Sequence, residues 1–141
     1  MSQQIHWAIL GPGRIAEKFA SAFTQVPEAK LYAVASRDAL RSKVFAEKFN
    51  IPKVYANYEE MLADPVIDIV YIATPHTFHH EQTLLCLKNK KAVVCEKPLT
   101  LSAKQTMELV TASRATNIFL MEGMWTRFFP ATLKALELVQ Q

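Results

Sequence analysis

The stretch that decides the fold is residues 5–16, which read IHWAILGPGRIA. Residues 5–10 form a nearly continuous apolar run, which is typical of a strand buried on both faces. Gly11, Gly13 and Ala16 follow in the pattern G-x-G-x-x-A, and the chain of 141 residues has only 3 glycines. This pattern predicts a phosphate-binding loop, because the first glycine permits a tight turn and the second lets the backbone approach a pyrophosphate at a helix N-terminus. A tight turn without a ligand is the alternative.

Strands and helices are predicted to alternate along the rest of the chain. Further apolar runs predict strands at residues 30–35, 53–55, 67–73, 92–95 and 118–121. The helices between them have apolar periodicity or capping residues, of which Asn57 and Ser102 are predicted N-caps. The alternation predicts an α/β fold, a doubly wound and mostly parallel sheet of the Rossmann type, over residues 1–125. Residues 126–141, in which Pro130 begins an amphipathic helix, are expected to start a connection to further sequence.

Composition excludes several classes of protein. At 141 residues and 50% hydrophobic content, the chain is sized for one globular domain. A net charge of +3 is too small to suggest nucleic-acid binding, and Lys88, Lys90 and Lys91 are interpreted as a solvated helix end. No apolar run is long enough for a membrane span, and no signal peptide is recognisable. Cys86 and Cys95 lack metal-ligand spacing, so we expect a cytoplasmic protein whose cysteines are small buried side chains.

The end of the second predicted strand bears on the choice of dinucleotide. A residue that contacts the adenosine ribose is expected roughly 20 positions after the glycine pattern, where this chain has Ser36, Arg37 and Asp38. An acidic residue first in this group would bind the ribose hydroxyls, whereas a hydroxyl and a guanidinium suit a 2′-phosphate. Asp38 is interpreted as the N-cap of the next helix. The sequence therefore favours NADP over NAD as the cofactor.

The carboxyl ends of the later strands carry the candidate catalytic residues, because ligands of open α/β sheets bind at this edge. Thr74-Pro75-His76, Glu96-Lys97-Pro98 and residues 122–127 are predicted to follow the fourth, fifth and sixth strands. Lys97 is the best-placed acid or base among them. A surface ion pair between Glu96 and Lys97 is the alternative.

Histidine and aromatic side chains near the same edge allow two interpretations each. His76, His79 and His80 are close together in the sequence, but no Cys or acidic residue completes a familiar metal-binding pattern. Polar residues beside a cofactor, or a helix start, are therefore favoured over a metal site. Trp125 could line a substrate pocket or pack in the core, and residues 128–129 (Phe-Phe) are expected to be buried.

Five segments in this order, GPGRIA, SRD, ATPHTFHHE, CEKP and EGMWTRFFP, resemble the N-terminal domain of the glucose–fructose oxidoreductase/inositol dehydrogenase (Gfo/Idh/MocA) family. The last two are most similar to the dimeric dihydrodiol dehydrogenases and NADP-dependent D-xylose dehydrogenases of that family. The resemblance implies oxidation of a CH–OH group of a sugar or trans-dihydrodiol by hydride transfer to NADP. It implies a catalytic role for Lys97 and places His79, in the family's T-P-x-x-x-H pattern, at the active site.

The candidate cofactor-binding residues are Gly11, Pro12, Gly13, Arg14, Ile15, Ser36, Arg37, Thr74, Pro75, His76, Glu96, Lys97, Trp125 and Arg127. Family members carry a second α/β domain, which supplies much of the substrate pocket and usually the dimer interface. We therefore expect residues 126–141 to lead toward a second domain absent from this chain, which alone would be inactive. The parent protein would be a homodimer or larger assembly, without nucleic-acid or membrane partners. A non-catalytic sensor or regulatory domain that binds NADP is the alternative from another class.

Overall fold

Residues 4–140, which the computed structural model describes, form six strands and six α-helices. The strands are β1 (Ile5–Leu10), β2 (Ala29–Ala35), β3 (Lys53–Tyr55), β4 (Ile69–Ile72), β5 (Ala92–Glu96) and β6 (Leu120–Gly123). The helices are α1 (Arg14–Ser21), α2 (Ala39–Phe49), α3 (Tyr58–Ala63), α4 (His79–Lys88), α5 (Ala103–Thr116) and α6 (Pro130–Val139). Short 3-10 helices occur at Ala22–Gln25, His76–Phe78 and Trp125–Phe128.

All six strands belong to one sheet with the order β3-β2-β1-β4-β5-β6, and every neighbouring pair is parallel. Side chains alternate between the two faces along a strand, so both faces of β1 need a covering layer. Ala8 and Leu10 lie in one core cluster and Ile9 lies in the other, and all three are fully buried. Helices α1 and α2 contribute to the Ile9 cluster, whereas α3 and α4 contribute to the other. The predicted doubly wound α/β fold is confirmed.

Local capping explains where several helices begin. The side chain of Asn57 accepts a hydrogen bond from Glu60 N at 2.8 Å, and Ser102 accepts one from Gln105 N at 3.3 Å. Asp38 accepts one from the backbone N–H at the third position of α2, at 3.0 Å. Each bond satisfies a backbone donor that has no partner inside its helix. All three predicted N-caps are confirmed.

The last strand begins later than predicted, at Leu120 rather than at residue 118. Ile118 is bonded to the end of α5, because its N–H donates to Ser113 O at 3.1 Å and its carbonyl accepts from the Ser113 hydroxyl at 2.6 Å. These bonds keep residue 118 in the helix-terminal turn and out of the ladder. The strand also ends later than predicted, at Gly123, so Glu122 lies inside β6 and not in the loop that follows it.

The two cysteines are buried, as predicted. Cys86 of α4 and Cys95 of β5 are free thiols in the same core cluster. Burial raises the pKa of each thiol to about 12. Both side chains therefore stay protonated at neutral pH and pack as small apolar groups.

A polar cluster around Asp64 joins β2, β3 and the loop before β5. The Asp64 carboxylate accepts hydrogen bonds from the Tyr55 hydroxyl and, at 3.3 Å, from the Tyr32 hydroxyl. The Lys91 ammonium donates to Asp64 O at 2.7 Å and to Ile67 O at 2.8 Å. Lys91 is only 8% exposed, so the interpretation of this lysine as part of a solvated helix end is wrong. Its donors are instead used to satisfy backbone carbonyls.

This cluster predicts an acid-sensitive contribution to stability. The hydrogen bond from Tyr55 is the main cause that lowers the pKa of the Asp64 carboxyl below its ordinary value of 3.8. A group whose pKa is lower in the folded state stabilises the fold above its unfolded pKa, and this contribution is lost as the pH falls through the folded pKa. We expect Tyr55→Phe to lower the free energy of unfolding by about 1 kcal/mol at neutral pH. The difference should shrink as the pH falls below 3.8.

Urea unfolding at pH 7 and pH 3 measures both effects. Tyr32→Phe is the matched control, because it removes the longer of the two hydroxyl–carboxylate bonds and should cost less. A Tyr55→Phe deficit of the same size at both pH values would contradict the role given to the Asp64 charge.

Candidate dinucleotide-binding site

The loop between β1 and α1 needs glycine at its two glycine positions for different reasons. Gly11 has a φ of +91°, and a Cβ there would lie 2.7 Å from Thr74 Cγ2 and 3.0 Å from Thr74 N. A Cβ on Gly13 would meet no heavy atom within 4 Å. Gly11 is therefore required by the fold itself, whereas Gly13 borders open space at the N-terminus of α1. The unpaired N–H groups of that helix end make the space suitable for an anion.

This space belongs to a cleft of about 450 Å³ at the carboxyl ends of β1, β2 and β4. It lies where the strand order reverses direction, which is the usual ligand site of doubly wound sheets. The cleft is lined by Gly11, Pro12, Gly13, Ser36, Arg37, Asp38, Arg41, Tyr58, Ala73, Thr74, Pro75, Phe78 and Gln82. The fold thus brings together seven predicted cofactor residues, namely Gly11, Pro12, Gly13, Ser36, Arg37, Thr74 and Pro75.

Ser36 lies at the cleft, but its hydroxyl is engaged within the protein. It is 2.7 Å from Asp38 O and 2.7 Å from Ser42 Oγ, and the side chain is 7% exposed. A hydroxyl has one hydrogen to donate, and this hydrogen already has two acceptors nearby. The bonds shape the turn into α2, and the two arginines supply further donors at this corner.

Arg37 and Arg41 line the same corner of the cleft. The Arg37 guanidinium lies over the ring of Phe78, 4.8 Å from its centroid. Arg41 follows in the first turn of α2. Sequence reasoning missed Arg41, although its spacing of four from Arg37 across a helix start was a usable signal. It also missed the cleft residues Tyr58, Phe78 and Gln82, whose positions depend on long-range packing.

At the end of β5, the Glu96 carboxylate does not pair with the neighbouring ammonium. Its Oε1 accepts a hydrogen bond from the Tyr71 hydroxyl at 2.5 Å, and its Oε2 accepts one from Lys97 N at 3.3 Å. Among residues 4–140 the Lys97 ammonium has no ion pair, and its side chain is exposed. The surface ion pair considered as an alternative is therefore not formed.

His79 joins the loops that follow β4 and β5. Its ring nitrogens lie 2.8 Å from Pro98 O and 2.9 Å from Thr74 O, and the residue is 1% exposed. Carbonyls only accept hydrogen bonds, and a neutral imidazole has a single N–H, so a neutral ring donates to one of them at a time. The ring is buried between the two loops and does not line the cleft.

A second recess, of about 310 Å³, lies beside α1 at the ends of β5 and β6. Its walls are mostly apolar, and Ile15, Glu96 and Trp125 of the predicted cofactor residues line it. The full lining is Ile15, Lys18, Phe19, Ala22, Tyr71, Val94, Glu96, Met121, Gly123, Trp125 and Phe128. The recess and the cleft share the glycine loop and its helix as a border, because Ile15 lines one while Pro12 and Gly13 line the other.

The aromatic residues after β6 are more exposed than predicted. Phe128 is 65% exposed and Phe129 is 45% exposed, so the expectation that both are buried is wrong. Trp125 is 51% exposed and packs edge-on against Phe129, with ring centroids 5.7 Å apart. β6 is one of the two edge strands of the sheet, and within residues 4–140 no layer covers the segment that follows it.

Four predicted site residues, Arg14, His76, Lys97 and Arg127, are exposed and line neither cavity. His80 points elsewhere, with Nε2 at 2.8 Å from the Glu108 carboxylate of α5. In the described part of the chain no group of three His, Cys, Asp or Glu side chains could hold a metal ion. Over the same residues, no helix is long and apolar enough to cross a membrane.

A parallel sheet in this order, with a glycine loop at a helix N-terminus and a cleft at the reversal point, defines a dinucleotide-binding Rossmann domain. Residues 5–124 match the model of an oxidoreductase family with an NAD-binding Rossmann fold, GFO/IDH/MocA. The chain belongs to this family, and its cofactor is a nicotinamide dinucleotide.

The chain spans about two fifths of the length of the relatives described below. The chain is 44% identical to mouse trans-1,2-dihydrobenzene-1,2-diol dehydrogenase over 139 residues, which are 97% of this chain and 42% of that protein. GenD2 from gentamicin A biosynthesis, solved with NAD, is 28% identical with a TM-score of 0.92, over 98% of this chain and 39% of GenD2. KijD10, a 3-ketoreductase from Actinomadura kijaniata solved with NADP and TDP-benzene, is 28% identical with a TM-score of 0.91. The match covers 97% of this chain and 42% of KijD10.

Proposed function

We propose that this chain is the NADP-binding half of an oxidoreductase that oxidises a CH–OH group of a sugar or trans-dihydrodiol. The observation that carries the proposal is one cleft that joins the open space at Gly13 to the Arg37 and Arg41 side chains. The name of the mouse relative supports the dihydrodiol as a substrate class.

The residues present fit this cofactor from one end to the other. The N–H groups at the start of α1 bind the pyrophosphate beside Gly13, and Arg37 and Arg41 bind the 2′-phosphate. The apolar recess that Ile15 and Trp125 line accommodates the nicotinamide ring. When bound, the dinucleotide supplies the hydride acceptor. The chain's own groups orient the dinucleotide and position the substrate hydroxyl.

Lys97 acts at the substrate oxygen in this proposal. It directly follows Glu96 of the recess lining, its side chain is exposed, and its ammonium has no ion pair in the described residues. Either the amine takes the hydroxyl proton or the ammonium stabilises the developing alkoxide. His79 holds the Thr74 and Pro98 loops together, and we assign it a positioning role.

Residues 126–141 begin the connection to a second domain in this proposal. Leu133, Leu136 and Val139 of α6 are 54%, 49% and 84% exposed. Apolar side chains exposed together on one helix are typical of a surface that another element covers. Their exposure supports a division at about residue 125.

The two arginines predict a preference for the phosphorylated cofactor. We expect NADPH to bind about tenfold more tightly than NADH, since one charge-assisted contact to phosphate contributes roughly 1.5–3 kcal/mol. Arg37→Ala and Arg41→Ala should each reduce the preference by weakening NADPH binding, with little effect on NADH. Fluorescence titration of the unsubstituted chain and of both variants with each dinucleotide measures the six affinities.

Arg114→Ala is a matched control, because this arginine is exposed in the last turn of α5, away from the cleft. It should leave both affinities unchanged. Equal binding of NADPH and NADH by the unsubstituted chain would contradict the assignment of NADP. A preference that survives in both cleft variants would contradict the roles given to Arg37 and Arg41.

A further inference from the structure

Tyr71 connects the core of the domain to the carboxylate beside Lys97. It lies in β4 and is 2% exposed, with its ring stacked on Phe19 of α1 at a centroid distance of 3.8 Å and an interplanar angle of 16°. Its hydroxyl donates to Glu96 Oε1 at 2.5 Å. The stacked ring fixes the hydroxyl in position, and the hydroxyl in turn fixes one oxygen of Glu96.

Both carboxylate oxygens of Glu96 accept hydrogen bonds from groups other than the Lys97 ammonium. Oε2 accepts a hydrogen bond from the backbone N–H of Lys97 at 3.3 Å. Glu96 and Val94 line the same recess, as expected for two residues that alternate along one strand. The half-buried carboxylate therefore lies against a mostly apolar wall, where these two hydrogen bonds replace part of its hydration.

The Tyr71 hydroxyl is protonated at neutral pH and is the donor in its hydrogen bond to Glu96. Burial, and then the hydrogen bond to Glu96, raise the pKa of this hydroxyl well above its usual range. A phenol that stays protonated cannot exchange roles with the carboxylate it faces. The bond consequently keeps its direction, from Tyr71 to Glu96.

We propose that Tyr71 is a positioning residue, whose hydroxyl holds the Glu96 carboxylate in the apolar recess and thereby keeps the adjacent Lys97 ammonium unpaired. Without the hydroxyl, Glu96 would keep one backbone bond in a mostly apolar setting and would take a cationic partner, of which Lys97 is next in the sequence and Lys18 lines the same recess. The inference rests on the proposed function in one respect only, namely that an unpaired Lys97 interacts with the substrate oxygen.

Chemical labelling of the Lys97 amine tests the proposal on the chain itself, without any dinucleotide. The rate of acetylation by limiting acetic anhydride would be measured at Lys97 by peptide mass spectrometry and normalised to exposed Lys88 and Lys104. Tyr71→Phe keeps the stacked ring and removes the hydroxyl. We expect it to lower the Lys97 rate about twofold to fivefold, the scale of an exposed ion pair.

The double variant separates positioning from packing. In a Glu96→Gln background no carboxylate is present to move, so adding Tyr71→Phe should leave the Lys97 rate unchanged. Tyr55→Phe is the matched control, because it removes another tyrosine hydroxyl bonded to a carboxylate, at Asp64, and should not alter labelling of Lys97.

Three results would overturn the proposal. The first is a Lys97 rate in Tyr71→Phe equal to that of the unsubstituted chain, and the second is the same loss in the Glu96→Gln background. The third is a Lys97 acetylation rate that rises severalfold in Glu96→Gln alone, because this would mean that Glu96 and Lys97 are already paired in the unsubstituted chain. This third result does not depend on the folding of Tyr71→Phe. Failure to bind NADPH would contradict the proposed function but would leave these labelling results standing.

Discussion

Lys97→Met is expected to lower kcat about 100-fold in an enzyme that depends on this domain. The test uses a chimera in which this chain replaces the matching 42% of mouse trans-1,2-dihydrobenzene-1,2-diol dehydrogenase. Hydride leaves the carbinol carbon only as the hydroxyl proton departs, so losing the group that takes the proton or stabilises the alkoxide raises the barrier. Steady-state kinetics with NADP and the dihydrodiol give kcat and KM for the chimera with and without the substitution.

Two comparisons make this result specific to Lys97. Lys104→Met removes an exposed lysine near the start of α5 and should leave kcat unchanged. His79→Gln should cost less than Lys97→Met, because His79 is buried and its ring nitrogens are hydrogen-bonded to the backbone carbonyls of two loops. Cofactor affinity should change little in Lys97→Met. An active chimera that keeps its kcat in Lys97→Met would contradict the catalytic assignment.

The second large effect is expected on substitution of the two loop glycines. One substitution should weaken dinucleotide binding and the other should lower the stability of the domain. Gly13→Ala adds a methyl group that meets no protein atom within 4 Å but occupies the open space at the N-terminus of α1. We expect NADPH affinity to fall about tenfold to 100-fold, since charge-assisted backbone contacts to the pyrophosphate are lost. The free energy of unfolding should change by less than about 1 kcal/mol.

Gly11→Ala is the paired substitution with the opposite outcome. Its φ of +91° disfavours any side chain, and the new Cβ would lie 2.7 Å from Thr74 Cγ2. We expect the variant to lose about 2 kcal/mol or more of stability, the scale of backbone strain combined with a steric clash. Urea unfolding and dinucleotide titration of both variants test the pair. A stable Gly13→Ala domain with unchanged NADPH affinity would contradict a pyrophosphate at this loop.

Features that depend on neighbouring residues were predictable from the sequence. The caps at Asp38, Asn57 and Ser102 satisfy donors only three residues away, so the residue type and spacing were sufficient to find them. The glycine pattern has the same local character, because a tight turn and a helix N-terminus are built from consecutive residues. Alternation of strand and helix then limited the fold to a parallel sheet with two covering layers.

Edges and surfaces were harder to predict, because they depend on what covers them. The sequence predicts burial for Phe128 and Phe129 from their apolar character, but they follow an edge strand and are exposed. The opposite error occurred at Lys91, whose charge suggested solvent although its ammonium satisfies two backbone carbonyls. The chemistry of a side chain alone does not determine whether another layer of the fold covers it.

The sequence by itself determined the order of the elements, the phosphate loop and the edge of the sheet at which Arg37, Lys97 and the other candidates lie. Only the tertiary structure decided which atoms meet there. Glu96 is bonded to a hydroxyl 25 positions away, and His79 to a carbonyl 19 positions away, although each has polar neighbours much closer in sequence. Local propensity follows from the backbone of a few residues, whereas a buried polar group takes whichever partner the packed sheet and loops bring within hydrogen-bond distance.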